Sequence, residues 1–157
     1  MDNVTIRKAN MDDLESILIL FDKLSLSDLP YDKDVDVYWS HTKQGKKYFT
    51  DKILKNNNIC MVAEINKKTV GYFTATIKDV PGYRLVKVAD LLNLVVEEQY
   101  RNLGIGKKLI DAFFEWAKNM GVNKVSVNVF SGNEKAIKFY NRCGFTSFEQ
   151  TLEKDIK

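Results

Sequence analysis

Cysteine, proline and histidine are all scarce in this chain of 157 residues, with two, two and one copies. Two cysteines, Cys60 and Cys143, cannot form a disulfide framework, and they are not spaced as metal ligands. A single histidine, His41, excludes a His-rich zinc site, and no metal is expected. Pro30 and Pro81 stand alone, and no Pro/Gly/Ser-rich tract marks a linker, so residues 1–157 read as one domain. No apolar run approaches the ~20 residues that cross a bilayer. Met1–Asn10 lacks the apolar stretch of a signal peptide, so a soluble cytoplasmic protein with no membrane partner is expected. A net charge of +3, with no basic stripe, gives no footing for nucleic acid.

What is present is ordinary globular material, 45% hydrophobic and 29% charged. A domain this long buries roughly 70% of the surface its unfolded chain exposes. The charges are unevenly placed. Asp28, Asp32, Asp34 and Asp36 are opposed only by Lys33, whereas Arg101, Lys107 and Lys108 crowd a glycine-containing stretch. These are either two solvated patches or two sites for ligands of opposite charge.

Periodicity divides the chain. Asn3–Lys8 alternates as a strand. Asn10 and Asp13 can cap a helix whose face carries Leu14, Ile17, Leu18, Phe21 and Leu24. A polar loop spans Leu29–Asp36, and Val37–Lys55 reads as a helix weakened by Gly45. Ile59–Ile65 and Thr69–Lys78 form a hairpin, and Leu85–Val96 a strand covered on both faces at its apolar end. An amphipathic helix from Ile105 ends at Gly121, and Lys124–Phe130 alternates as a strand. Ser131 and Glu134 suggest a capping box for a short helix, and Phe145–Leu152 a closing strand. The order β-α-α-β-β-β-α-β-α-β is that of an α/β protein with a mixed sheet flanked by helices.

The sharpest motif follows the apolar strand: Val96-Glu-Glu-Gln-Tyr-Arg101-Asn-Leu-Gly104-Ile-Gly106-Lys107 leads straight into a helix. The first amides of a helix lack internal partners, and the helix dipole favours anions there. Glycines admit a phosphate close to the backbone, and Arg101 and Lys107 add charge. A P-loop is excluded, since no G-x-x-x-x-G-K-[ST] occurs, and a dinucleotide fingerprint lacks its third glycine. The stretch is either a phosphate cradle or a tightly packed strand–helix turn. A second motif, Asn133-Glu-Lys-Ala136-Ile-Lys-Phe139-Tyr140, puts Asn133 and Tyr140 on one helix face. That tyrosine can meet a ligand, or can be a core residue with a wet tip.

In this order the two motifs resemble the GNAT superfamily of acetyl-CoA-dependent N-acetyltransferases. The resemblance rests on Asn93-Leu94-x-Val96, Arg101-x-x-Gly104-x-Gly106 and Asn133-x-x-Ala136-x-x-Phe139-Tyr140-x-x-x-Gly144-Phe145. Glu98 and Asn102 depart from the proline and glycine frequent in such proteins. The resemblance implies a central sheet splayed after Val96's strand and acetyl-CoA as acyl donor. It implies that the backbone of Leu94, Val95 and Val96 meets the pantetheine arm. Arg101, Asn102, Leu103, Gly104, Ile105, Gly106 and Lys107 would hold the pyrophosphate, and Asn133 the arm. Tyr140 would stand near the sulfur as general acid. Homodimers are common among such proteins.

The acceptor must lose a proton. An amine of pKa ~10.4 is neutral about one part in a thousand near pH 7.4, a deficit of ~4 kcal/mol that a base route supplies. Asp90 is the nearest carboxylate within the strand, sharing alternation parity with Leu92 and Leu94, and either it or ordered water is expected to relay the proton. Asp28, Tyr31 and Asp32, with Asn93, are candidates for binding a cationic amine through charge and cation–π contact. His41 and Cys143 read as structural. The expected reaction is acetylation of a cationic small molecule such as a polyamine, aminoglycoside or amino acid derivative. A protein N-terminus or lysine, or acyl-CoA sensing without turnover, stays open.

Overall fold

The computed structural model describes residues 3–156. Its regular elements are β1 (Thr5–Lys8), α1 (Leu14–Asp28), α2 (Lys43–Leu54), β2 (Asn58–Ile65), β3 (Lys68–Lys78), β4 (Val88–Val96), α3 (Ile105–Asn119), β5 (Lys124–Val127) and α4 (Glu134–Arg142). The strands form one sheet in the order β1-β2-β3-β4-β5, antiparallel except for the parallel β4–β5 pair. Helices cover both faces, making a mixed α/β fold. Among the described residues no helix is long and apolar enough to cross a membrane.

Two apolar clusters lie on opposite faces of the sheet. On one, Ile105, Leu109, Ile110 and Phe113 of α3 pack on Phe73, Ala75 and Leu91, with Phe73 and Phe113 edge-to-face at 5.8 Å. On the other, Ile17, Leu18 and Leu20 of α1 and Phe49 and Ile53 of α2 cover Val62, Tyr72 and Val95. Each fully buried large side chain contributes about 1.5–3 kcal/mol.

Local signals account for the element ends. Asn10 and Asp13 form the expected capping box, in a 3-10 turn that leads into α1. Asn66 and Lys67, both at positive φ, make the two-residue turn of the β2–β3 hairpin, whose backbone twist suits the flanking strands.

Several boundaries differ from the sequence expectation. The expected Val37–Lys55 helix is a 3-10 turn at Trp39–His41 followed by α2, because Thr42 Oγ accepts the Gly45 amide and starts a new helix. Gly45 is needed there: a Cβ would lie 2.2 Å from the Trp39 carbonyl oxygen. The Ser131–Glu134 capping box does not form. Asn133 is the cap, its side-chain oxygen accepting the Ala136 amide at 3.1 Å. Strand β5 stops at Val127 rather than Phe130, because its pairing with β4 ends there. Phe145–Leu152 is not a strand. Phe145 and Phe148, three apart, would point to opposite faces of a pleated strand, and Phe148 and Leu152 remain exposed.

Gly45→Ala is expected to destabilise the protein by about 1–3 kcal/mol, since the added methyl must push α2 off the Trp39–His41 turn. Gly82→Ala, where a Cβ meets open space, should be near neutral. Urea midpoints at constant m-value measure both.

Candidate active site

Strand β4 carries a bulge. Thr74 of β3 faces Asn93 while the adjacent Ala75 faces Leu91, leaving Leu92 without an opposite residue. The extra residue reverses the alternation after it. Asp90 therefore does not share a face with Leu94: the bulge puts Asp90 with Asn93 and Val95, toward α1 and α2. Asn93 braces the irregularity, its amide donating to the Leu92 carbonyl at 2.9 Å and its oxygen accepting from Thr74 Oγ1 at 2.8 Å. Burial pushes the phenol of Tyr48 of α2 up to about 12, and Thr74 acts against that rise.

Just beyond the bulge, β4 and β5 part. Their register stops at Leu91–Val127, so among the described residues Leu92–Val96 has no strand partner on the β5 side. The separation opens a cleft of about 200 Å³ between β4, the chain leaving β5, and α4. This is why Leu92, Asn93 and Leu94, expected to be covered on both faces, are only half-buried. A larger hollow of about 430 Å³ lies between α1 and the β2–β3 turn, but Arg7, Asp13, Lys23, Lys68 and Glu97 there are already paired with one another or, in the case of Arg7, also with Glu64.

The cleft brings together Asp28, Asn93, Leu94, Asn133 and Tyr140. Tyr140 packs edge-to-face on Phe139 at 5.2 Å and Phe145 at 5.5 Å. Burial, and secondarily Cys143, holds its hydroxyl protonated well above the ordinary phenol range. Asn133 spends its side-chain oxygen on the α4 cap, which leaves the NH2 end for a ligand. Burial raises the Asp28 carboxyl above its ordinary value, and neighbouring Asp32 adds to the shift.

The glycine loop sits at the adjoining strand end. Asn102 and Gly104 take positive φ (62° and 77°), which turns the chain so that α3 begins at Ile105 with no side-chain cap on its first amides. Gly106 allows close packing of α4: a Cβ there would lie 3.2 Å from the Phe139 ring. Arg101 Nε donates to the Val96 carbonyl at 3.0 Å and ties the loop to the strand end. Lys107 pairs with Asp111 on its own helix, and Leu103 is exposed. The uncapped helix start and the unpaired edge of β4 suit a phosphate-bearing, amide-rich ligand such as acetyl-CoA.

Other expected residues lie elsewhere. Asp90 is 9% exposed, accepts a 2.6 Å hydrogen bond from Ser126 Oγ, and does not line the cleft. Asp32 accepts the Asp34 amide, a turn-forming role, and Tyr31 stacks on Phe130 at 5.7 Å. His41 and Ser40 both bond to Asp22 of α1. Burial raises both thiols, Cys60 to about 12. Tyr48, Thr74, Ser126 and Phe130 escaped sequence reasoning, because only their pairing across elements makes them part of the site.

With this geometry in place, comparison with known proteins is decisive. Residues 23–145 match the acetyltransferase (GNAT) family. The chain belongs to that family. A relative from Methanocaldococcus jannaschii, an uncharacterized N-acetyltransferase, is 31% identical over 92% of this chain. The match spans 62% of that protein's length. An N-alpha-acetyltransferase from Sulfurisphaera tokodaii is 28% identical over 89% of this chain and 78% of its own. The aminoglycoside acetyltransferase AAC(6')-Iy, solved with a bisubstrate analogue containing CoA, superposes with a TM-score of 0.78 at 20% identity over 99% of both chains. The domain is a GNAT-family acetyltransferase domain.

Glu97 fixes the strand end from which the glycine loop departs. Lys23 and Lys68 lie 2.7 and 2.8 Å from its carboxylate and hold its pKa at about 2, below the ordinary 4.5. A depressed pKa stabilises the fold above the unfolded value and loses that contribution as pH falls. Unfolding free energy should therefore drop between about pH 4.5 and pH 2, and less steeply in Glu97→Gln, as measured by denaturant titration across that range.

Proposed function

We propose that this chain moves the acetyl group of acetyl-CoA to the amine of a cationic small molecule, a polyamine, aminoglycoside or amino acid derivative, by direct attack in a ternary complex. The observation that carries this reading is the cleft itself, where Tyr140 and Asp28 share one opening between parted strands. Acetyl-CoA supplies an activated acyl thioester. In this reading the main chain of Leu94, Val95 and Val96 binds the pantetheine arm along the unpaired side of β4. The amides of Asn102–Lys107 bind the pyrophosphate at the positive end of α3, with Arg101 holding the loop in place. Asn133 orients the arm.

Tyr140 keeps its proton in the resting enzyme and delivers it to the departing sulfur. Asp28 gives the acceptor end negative charge, which favours an ammonium ion, and Asn93 offers polar contact on the wall. Asp90, held by Ser126 behind the wall, can reach a proton in the cleft only through intervening groups.

A protein N-terminus is the competing acceptor. The relative named N-alpha-acetyltransferase supports it, while AAC(6')-Iy supports a small cationic amine. Thiol release from acetyl-CoA across polyamines, aminoglycosides, amino acids and short peptides separates them. Release with polyamines or aminoglycosides and not with peptides is the expected result, and the reverse transfers the assignment to protein N-termini. Tyr140→Phe should lower kcat by about 10²–10⁴-fold with little change in KM for acetyl-CoA, and unchanged turnover would remove its acid role.

A further inference from the structure

We infer that Asp28, at the C-terminal end of α1, is the group that takes the proton from the acceptor amine. The inference rests on the transferase reading above and adds a role to a residue placed there only as an attractive charge.

Among the described residues, Asp28 and Tyr140 are the two titratable side chains that line the cleft. They come from opposite walls, Asp28 from α1 and Tyr140 from α4. Between them stand Asn93 of β4, Asn128 after β5 and Asn133 at the start of α4, all uncharged. The titratable groups that bear on Asp28 are therefore few: Asp32 on its own loop, and Tyr140, a neutral phenol, across the opening. Lys33 points elsewhere, toward Asp155.

Asp28 is also fixed in place. The amides of Tyr31 and Asp32 donate to its carbonyl at 2.8 and 3.0 Å, closing the turn that ends α1. The Tyr31 ring then stacks on Phe130, which itself lines the cleft, with 19° between the planes. Gly132 leaves room for that ring, since a Cβ there would come within 3.4 Å of it. The turn that follows Asp28 is thus anchored to the cleft wall through Tyr31. Asp90, by contrast, is committed to Ser126 behind the bulge and is absent from the cleft wall. Two groups in one cleft, both with their neutral forms favoured, divide naturally into a base closer to neutrality than an ordinary aspartate and an acid that stays protonated.

The proton balance follows. The ammonium N–H bond breaks and its proton passes to the Asp28 carboxylate, then to solvent. The freed lone pair forms the nitrogen–carbon bond to the acetyl carbonyl as the carbon–sulfur bond breaks. The sulfur takes the Tyr140 proton, and Tyr140 is reprotonated by the second proton that the nitrogen loses on becoming an amide.

Three readouts test this. In the protein without acetyl-CoA, the ¹³C carboxyl resonance of Asp28, assigned by through-bond correlation to its own backbone amide, should titrate above the ordinary aspartate range. With a polyamine acceptor, wild-type kcat/KM should level off above that midpoint. Asp28→Asn should fall about 10²–10⁴-fold at pH 7 and then recover about tenfold per pH unit, because only the neutral amine then reacts. Acetyl-CoA affinity should be unchanged, Asp28→Glu should regain part of the rate, and an acceptor already neutral at the assay pH should shrink the deficit. A wild-type profile and rate in Asp28→Asn, or the tenfold slope appearing in Asp90→Asn alone, overturns the assignment. So does an ordinary aspartate midpoint in the wild-type titration, which decides the matter even if Asp28→Asn fails to fold. A wild type that binds acetyl-CoA yet is inert toward every amine sinks the transferase reading and this inference with it. An active wild type with an indifferent Asp28→Asn sinks this inference alone.

Discussion

Strand β4 cannot hold partners on both sides along its whole length, and the site depends on that constraint. Its ladder with β3 runs to Gly71–Val96, whereas its parallel ladder with β5 stops at Leu91–Val127. The bulge at Leu92 marks the change. An extra residue bends and twists a strand locally, so the neighbour that cannot follow the bend is lost. What remains is an edge within the sheet, with backbone groups that a ligand can satisfy in place of a strand.

The polar groups around the bulge are arranged to tolerate it. Asn93 returns a hydrogen bond to the Leu92 carbonyl, and Thr74 fixes the orientation of Asn93. An unsatisfied buried carbonyl would cost about 1–3 kcal/mol, so these contacts keep the irregularity from destabilising the sheet. The same residues set which side chains face the acceptor end.

Charge is distributed to match. The α3 end of the cleft presents uncapped helix amides and a loop tied down by Arg101. The α1 end presents Asp28 and a loop anchored by Tyr31 on Phe130. Between them stand Asn93 and Asn133, whose amides bond without carrying charge, and Tyr140, whose hydroxyl stays neutral. A neutral middle between a cation-seeking end and an anion-seeking end suits a reaction joining an ammonium ion to a phosphate-bearing donor.

Much of this was legible in the residues themselves. The glycine loop, the amphipathic stripe of α3 and the Asn10–Asp13 cap are written in contiguous residues, because helix starts and caps are local hydrogen-bond patterns. Helical spacing brought Asn133 and Tyr140 together, and both line the cleft, although Asn133 does so as the cap of α4 and not from within the helix. The exchange of Asp90 for Asp28 at the cleft wall was not legible. Simple alternation put Asp90 beside Leu94, and only the pairing of Thr74 with Asn93, nineteen residues apart, reveals the inserted residue. Likewise the apolar residues after Phe145 suggested a strand, but a strand requires a partner edge, and β5 pairs regularly over only four residues. By itself, then, the sequence determined the helices, the hairpin, the anion-ready helix start and the family. The register of β4, the opening beside it and the carboxylate facing that opening were decided by tertiary structure, because pairing between distant strands is a property of the assembled sheet and not of any one segment.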